Sequence, residues 1–470
     1  MDVMQQAASI RPSNRQVMWQ QQEFYGFIHF GMNTFTNREW GDGTESEAIF
    51  APTSIDAEQW AETAVVAGMT GLILTCKHHD GFCLWPSAYS KHTVAHSPWQ
   101  KDIVAAVAEA CRHHNLKFGI YLSPWDRNAT CYGSGKEYND YYINQLTELL
   151  THYGPIFEVW LDGANGEGPN GKRQQYDWER LYTTVRRLQP QAVIAVCGPD
   201  VRWVGNEAGV SRVNEWSVVP QALQDVERIA DKSQQQADEN FSRKVTSGDE
   251  DLGSREALKE YAGELVWYPA EVNTSIRPGW FYHPQEDDKV RSAEKLFDLY
   301  LGAVGGNATF LLNLPPTPEG RIASGDVAVL KQLGHRIRAL KQTNLLAGGN
   351  VVTSSGTAGS MVLTQNLQDC WKPALDDKVP TLTVTLSSPA LIDTVILREN
   401  ILEGQQLERV TIWGQESQQS TWHKLATVLS VGYQRIVRFP EYHVRNIRLV
   451  IEATRATPAL SFVGAVWLGE

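Results

Sequence analysis

FEVWLDGANG, residues 157–166, is an apolar run that ends abruptly in one carboxylate, Asp162, followed by glycines and a small polar loop. In a protein built from strand, loop and helix in turn, a carboxylate at the carboxyl end of a buried strand is held rigidly. It faces the pocket where such folds do their chemistry, which makes Asp162 a candidate nucleophile. Working outward from it, short β-branched or aromatic runs recur at Phe24–Gly31, Gly71–Thr75, Lys117–Leu122, Ala192–Val196, Arg212–Trp216, Leu265–Tyr268 and Thr309–Asn313. With Phe157–Asp162 they make eight expected strands. Stretches of helical period lie between them: Asp56–Ala67, with Asp56 as N-cap and Gly68 as stop, then Lys101–His114, Tyr138–Tyr153, Tyr176–Leu188, Ala293–Val304 and Asp326–Leu340. The alternation predicts an α/β fold, a (β/α)8 TIM-like barrel.

The texture changes after about Leu346. Alternating runs such as TLTVTLSS, DTVILRE, RVTIWGQ and NIRLVIEA, separated by Gly, Pro, Ser and Asp clusters, predict an antiparallel β-sandwich. The expected division is therefore a barrel over residues 1–345 and a sandwich over 346–470. Gln221–Glu260 is polar and strongly charged, and reads as a solvated excursion between the sixth and seventh strands.

Composition narrows the function classes. A formal net charge of -12 argues against a nucleic-acid partner, because such proteins concentrate Lys and Arg. No run approaches eighteen apolar residues, so membrane insertion is not expected, and the first residues, MDVMQQAASIRPSNRQ, lack the order of a secretory signal. The six cysteines are scattered with no CxxC pair, which predicts free, buried thiols rather than a zinc or redox centre. Neither a metal nor a cofactor is expected.

Polar residues gather at the ends of successive predicted strands: His29 in the first, His78 and His79 after the second, Tyr121 in the third and Asp162 ending the fourth. Adjacent histidines on an extended segment point to opposite faces. In a loop both can turn inward and offer donor and acceptor nitrogens to neighbouring hydroxyl groups. No GxSxG, Cys-His or phosphate-loop pattern accompanies Asp162, so carboxylate chemistry remains, and glycoside hydrolysis needs two carboxyl groups. The second candidate is Glu207 in GPDVRWVGNEAG, on a glycine-bounded loop beside Arg202 and Trp203, with Glu215 and Glu271 as the other choices.

The motifs HFGMNTF, REWGDG, CKHHDGFCLWPS, GIYLSPW, VWLDGANG and GPDVRWVGNEAG, spread over residues 20–315, together resemble the α-L-fucosidases of glycoside hydrolase family 29. The resemblance implies a retaining double displacement with Asp162 as nucleophile. It implies a fucose pocket lined by His29, Glu39, Trp40, His78, His79, Tyr121 and Arg202, with Trp280 of RPGWFYH against the apolar side of the sugar. The glutamate just past the Arg-Trp pair is similar to the acid/base of the subgroup that cleaves α-1,3/1,4-linked fucose from branched, Lewis-type glycans, which implies that role for Glu207. Fucosylated glycans are the expected partners, and an exported, periplasmic or secreted enzyme would meet them. A broad α-L-fucosidase using a different acid, and an inactive fucose-binding protein, are the competing expectations.

Overall fold

A computed structural model describes residues 2–232, 251–356 and 359–469. Eight strands pair in parallel: β1 (Phe24–Ile28), β2 (Gly71–Lys77), β3 (Lys117–Leu122), β4 (Glu158–Leu161), β5 (Val193–Val196), β6 (Arg202–Trp203), β9 (Ala270–Ser275) and β10 (Thr309–Asn313). Their order is β5-β4-β3-β2-β1-β10-β9-β6, and a parallel bridge from Ala195 to Val201 brings the last strand back to the first. The result is the expected TIM-like barrel.

Helices Ala57–Ala67, Ile103–His113, Lys136–His152, Trp178–Leu188, Ala293–Val304 and Ser324–Gln342 coincide with the six predicted stretches to within a few residues. Their ends have local causes. Asp56 accepts the Gln59 amide at 3.0 Å as N-cap, and Gly68, with φ of 87°, ends the same helix in the left-handed conformation that glycine adopts without strain.

The barrel departs from the sequence-based expectation on one side. The sixth strand is Arg202–Trp203, not Arg212–Trp216, and it follows β5 through a tight turn over Cys197–Asp200 with no helix between. The seventh barrel strand is β9, not Leu265–Tyr268. Leu265–Trp267 (β8) instead pairs antiparallel with Val218–Pro220 (β7) in a separate two-stranded sheet. Leu265–Trp267 is apolar and buries well, so composition alone does not separate a barrel strand from a ribbon packed beside it. Much of the predicted charged excursion, residues 233–250, lies outside the described residues.

Beyond Gln342 the chain forms the antiparallel β-sandwich, from β11 (Asn350–Thr353), β12 (Thr381–Glu399), β13 (Leu407–Gln415), β14 (His423–Val428), β15 (Arg435–Thr454) and β16 (Leu460–Val466). β12 and β15 are long and shift register between Thr385 and Ala390 and between Ile392 and Thr394. Such irregularities let one strand bend from one layer to the other. The sandwich has its own core, including Trp371, Val384, Val395, Ile412, Ile447 and Val463. Ile396, Ile436, Phe462 and Val466, however, pack into the core of the barrel. Among the described residues no helix is long and apolar enough to cross a membrane.

Candidate active site

A narrow cleft opens at the carboxyl ends of the barrel strands. Asp162 lies directly after β4, with one carboxylate oxygen accepting from the Tyr121 hydroxyl at 2.8 Å and the other from the Ala164 amide at 2.9 Å. Both oxygens are thus oriented, yet 21 % of the side chain stays exposed, unlike its buried neighbours. An oriented, accessible carboxylate suits attack on an electrophilic carbon.

Three histidines face the same cleft, each in a role set by its second nitrogen. His29 places Nδ1 2.8 Å from Asn313 Oδ1. Because the Asn313 amide already donates to Ser275 and to the Trp280 carbonyl, His29 must donate there and present Nε2 as an acceptor. His79 places Nδ1 2.7 Å from Ser123 Oγ, whose proton goes to the Trp125 carbonyl, so His79 also turns an acceptor nitrogen inward, 3.8 Å from Asp162. His78 accepts from the Asn33 amide at Nδ1 and offers Nε2–H as a donor. Burial holds His29 down at about 3 and His79 at about 4, against an ordinary 6.5, and lowers His78 well below the same value. All three are neutral near pH 7. Neutral histidines acting as fixed donors and acceptors fit hydroxyl groups rather than an anion.

Aromatic faces complete the cleft. Trp40 stands edge-on to His79 with ring centroids 5.5 Å apart, and Trp280 tilts against His29 at 5.0 Å. Trp203 also lines it, held by its indole to Asn273 at 2.9 Å. Phe27, Trp160 and Asn273, not singled out from sequence, line the cleft as well. Strand alternation could have found the first two, since Phe27 precedes His29 by two residues and Trp160 precedes Asp162 by two. Asn273 lies on β9, whose sequence AEVNTS has no apolar run to mark it as a strand.

Glu39 and Arg202 stand behind the cleft wall. Glu39 accepts the backbone amides of Trp280 at 2.8 Å and Phe281 at 3.1 Å and meets His283 at 2.7 Å, so it fastens the loop that carries Trp280. Arg202 pairs with Glu215 at 2.7 Å.

Of the three glutamates considered for the second carboxyl, Glu207 alone lines the cleft, with the Trp280 indole donating to it at 3.4 Å. Glu215 is buried between Arg202 and Arg212. Burial pushes its pKa up, but the two guanidinium groups outweigh that and hold it below the ordinary range. Glu271 lies within the barrel, accepting from Tyr25 at 2.5 Å and from the Trp160 indole at 2.7 Å, with Trp160 between it and the cleft. Trp203 belongs to β6, so Glu207 follows a barrel strand and falls at the catalytic face.

Among the described residues no group of three or more His, Cys, Asp and Glu could hold a metal ion. The six cysteines are unpaired, with four buried and Cys131 and Cys370 half-buried.

The fold and the cleft define a barrel enzyme of the glycoside hydrolase class. An α-L-fucosidase family profile matches residues 9–340. The Arabidopsis thaliana protein named Alpha-L-fucosidase 1 is 36% identical over 466 residues, covering 96% of this chain and 87% of its own. A crystal structure of a Bacteroides ovatus chain assigned as an α-L-fucosidase is 43% identical with a TM-score of 0.86, covering 99% of this chain and 76% of that one. A Ruminococcus gnavus family 29 fucosidase, solved in complex with fucose, is 29% identical with a TM-score of 0.83 over 98% of this chain and 95% of that one. The chain belongs to the α-L-fucosidases of glycoside hydrolase family 29.

Proposed function

We propose that this protein is an exo-acting, retaining α-L-fucosidase that removes α-1,3/1,4-linked fucose from branched, Lewis-type glycans. The observation that carries the reading is a single cleft lined by both Asp162 and Glu207, in which three neutral histidines offer hydrogen bonds to hydroxyl groups. Asp162 attacks the anomeric carbon while Glu207 protonates the glycosidic oxygen, giving a covalent fucosyl intermediate. Glu207 then takes a proton from water, which releases fucose with its configuration retained. His29, His78 and His79 bind the sugar hydroxyls. Trp40, Trp203 and Trp280 shape the apolar wall, and Tyr121 orients the nucleophile. Glu39 and Arg202 act through the segments they hold.

The division into a catalytic barrel over residues 1–345 and a sandwich over 346–470 belongs to the same proposal, as does an exported, periplasmic or secreted setting in which fucosylated glycans are met.

Substitution tests the pair of carboxylates. Asp162→Ala should reduce turnover to background. Glu207→Ala should lower kcat on a Lewis trisaccharide by roughly 100- to 10,000-fold, and added azide should restore activity on an activated aryl fucoside with formation of fucosyl azide. Full activity of Glu207→Ala on the trisaccharide would remove Glu207 from this role. Faster release of fucose from 2'-fucosylated lactose than from a Lewis trisaccharide would overturn the linkage assignment.

A further inference from the structure

The loop that carries Glu207 is held from the barrel, through Arg291 on the Ala208 carbonyl at 3.3 Å and Ser211 on the Gly302 carbonyl at 2.8 Å, and at its base from the sandwich as well. Within the loop, the Asn206 side chain accepts the Ala208 and Val210 amides at 3.1 and 3.3 Å and donates to the Val210 carbonyl at 2.8 Å, which makes it a compact unit. At its base Arg212 donates to the Val204 carbonyl at 2.9 Å and pairs with Glu215 at the same distance, so the two ends of the loop are tied through one carboxylate. Glu215 also fixes Arg202 in β6, the strand from which the loop departs.

Part of what fixes the Glu215 backbone comes from the other half of the chain. Its main-chain carbonyl accepts from Gln405 at 3.4 Å and Ser430 at 3.4 Å, both sandwich residues, and from Asn307 of the barrel at 3.1 Å. The Gln405 side chain also accepts the Ser217 amide at 2.8 Å, and the Asn307 side chain accepts the Tyr433 amide at 2.8 Å. Arg435 of the sandwich donates to the Val213 carbonyl. Gly432 stacks so closely on Asn307 that a Cβ there would lie 2.3 Å from its amide. Gln405 and Ser430 are themselves buried.

We propose that Gln405 and Ser430 of the sandwich are positioning residues for the Glu207 loop, so that the sandwich sets proton delivery in the barrel without touching substrate. The proposal rests on Glu207 being the acid/base. Gln405 and Ser430 hold the Glu215 backbone, Glu215 holds Arg212 and Arg202, and these hold the ends of the loop. Displacing a proton donor by as little as 1 Å is enough to cost about 100-fold in rate.

Leaving-group dependence separates this from a merely structural role. A dinitrophenolate departs without protonation, whereas a phenolate or a sugar needs the acid. The experiment measures kcat/KM of the full-length protein on dinitrophenyl, nitrophenyl and phenyl α-L-fucosides for wild type, Glu207→Gln and the double variant Gln405→Ala/Ser430→Ala. Thermal melting checks the fold. The double variant should lose roughly 10-fold or more on the phenyl fucoside and less than about 2-fold on the dinitrophenyl fucoside, following the steeper trend of Glu207→Gln.

An equal loss on all three substrates, or no loss on any, overturns the inference while Glu207→Gln still shows the trend. A flat Glu207→Gln profile overturns the acid/base reading itself. Should the double variant fail to fold, Ser430→Ala and Gln405→Glu take its place. The latter keeps an acceptor for the Ser217 amide and removes the donor to Glu215. A flat profile in both replacements has the same overturning force.

Discussion

Histidine burial gives the cleft an energetic signature. In the folded protein His29 and His79 resist protonation down to about 3 and about 4, because burial penalises the cation, whereas in the unfolded chain each titrates near its ordinary 6.5. Between pH 6.5 and 4 the unfolded state therefore binds more protons, and stability must fall as pH falls through that interval. His79 accounts for about 3 kcal/mol of this loss. Melting temperatures recorded from pH 7 to pH 4 should decline, and His79→Gln should flatten the decline. An unchanged slope in that variant would contradict its neutral, buried state. Glu271 yields a second test at this scale. Since it is sealed beneath Trp160, Glu271→Gln should change kcat/KM on phenyl and dinitrophenyl fucosides by the same factor. A selective loss on the phenyl compound would return it to candidacy as the acid.

At the scale of elements, local chemistry fixes the limits of the best-marked helices. Helices Ala57–Ala67 and Ala293–Val304 carry strong caps at Asp56 and Ser292 and an apolar stripe, so their limits follow from local chemistry. β1 to β5 are short buried runs separated by such helices, and the first four βα units together with β5 are legible for that reason. β6 spans only two residues, too short for any periodicity to mark it, and the apolar run Leu265–Trp267 has the texture of a barrel strand. Close packing between elements is the other property that lies beyond local pattern. Gly334 sits inside helix Ser324–Gln342, where propensity alone favours alanine, yet a Cβ there would stand 1.9 Å from the Val66 carbonyl of the neighbouring helix. Gly334→Ala should therefore destabilise by about 1–3 kcal/mol, seen as a lower Tm, rather than stabilise. A raised Tm would show that the two helices separate easily.

At the scale of the whole molecule the two halves are joined by apolar packing and by charge. Ile396, Ile436, Phe462 and Val466 complete the barrel core. Glu23, buried beneath β1, is paired with Lys341 at 2.7 Å and with Arg398 of the sandwich at 3.1 Å. Removing residues 346–470 would expose that apolar surface and take from Glu23 both Arg398 and the Tyr433 hydroxyl, leaving Lys341 as its remaining ion-pair partner, and breaking up a buried charge network is destabilising. Calorimetry of the intact chain should show one cooperative transition, and residues 1–345 expressed alone should aggregate. A soluble, active barrel with the parent Tm would refute this coupling.

Sequence by itself determined the architecture and the nucleophile candidate. Hydrophobic periodicity and helix caps are local properties, and a carboxylate at the end of a buried strand is written in a ten-residue run. Asp162, Tyr121 and the histidines follow from that logic, because each stands at the end of an element whose period is readable. What distinguishes Glu207, Glu215 and Glu271 lies in tertiary structure, since all three are glutamates near aromatic or cationic neighbours in sequence. Only the packed chain encloses one between two arginines, seals another beneath a tryptophan and leaves the third facing Asp162's cleft. Burial and charge pairing are sums over residues distant along the chain, and they exist only once the barrel has closed and the sandwich has come to rest against it.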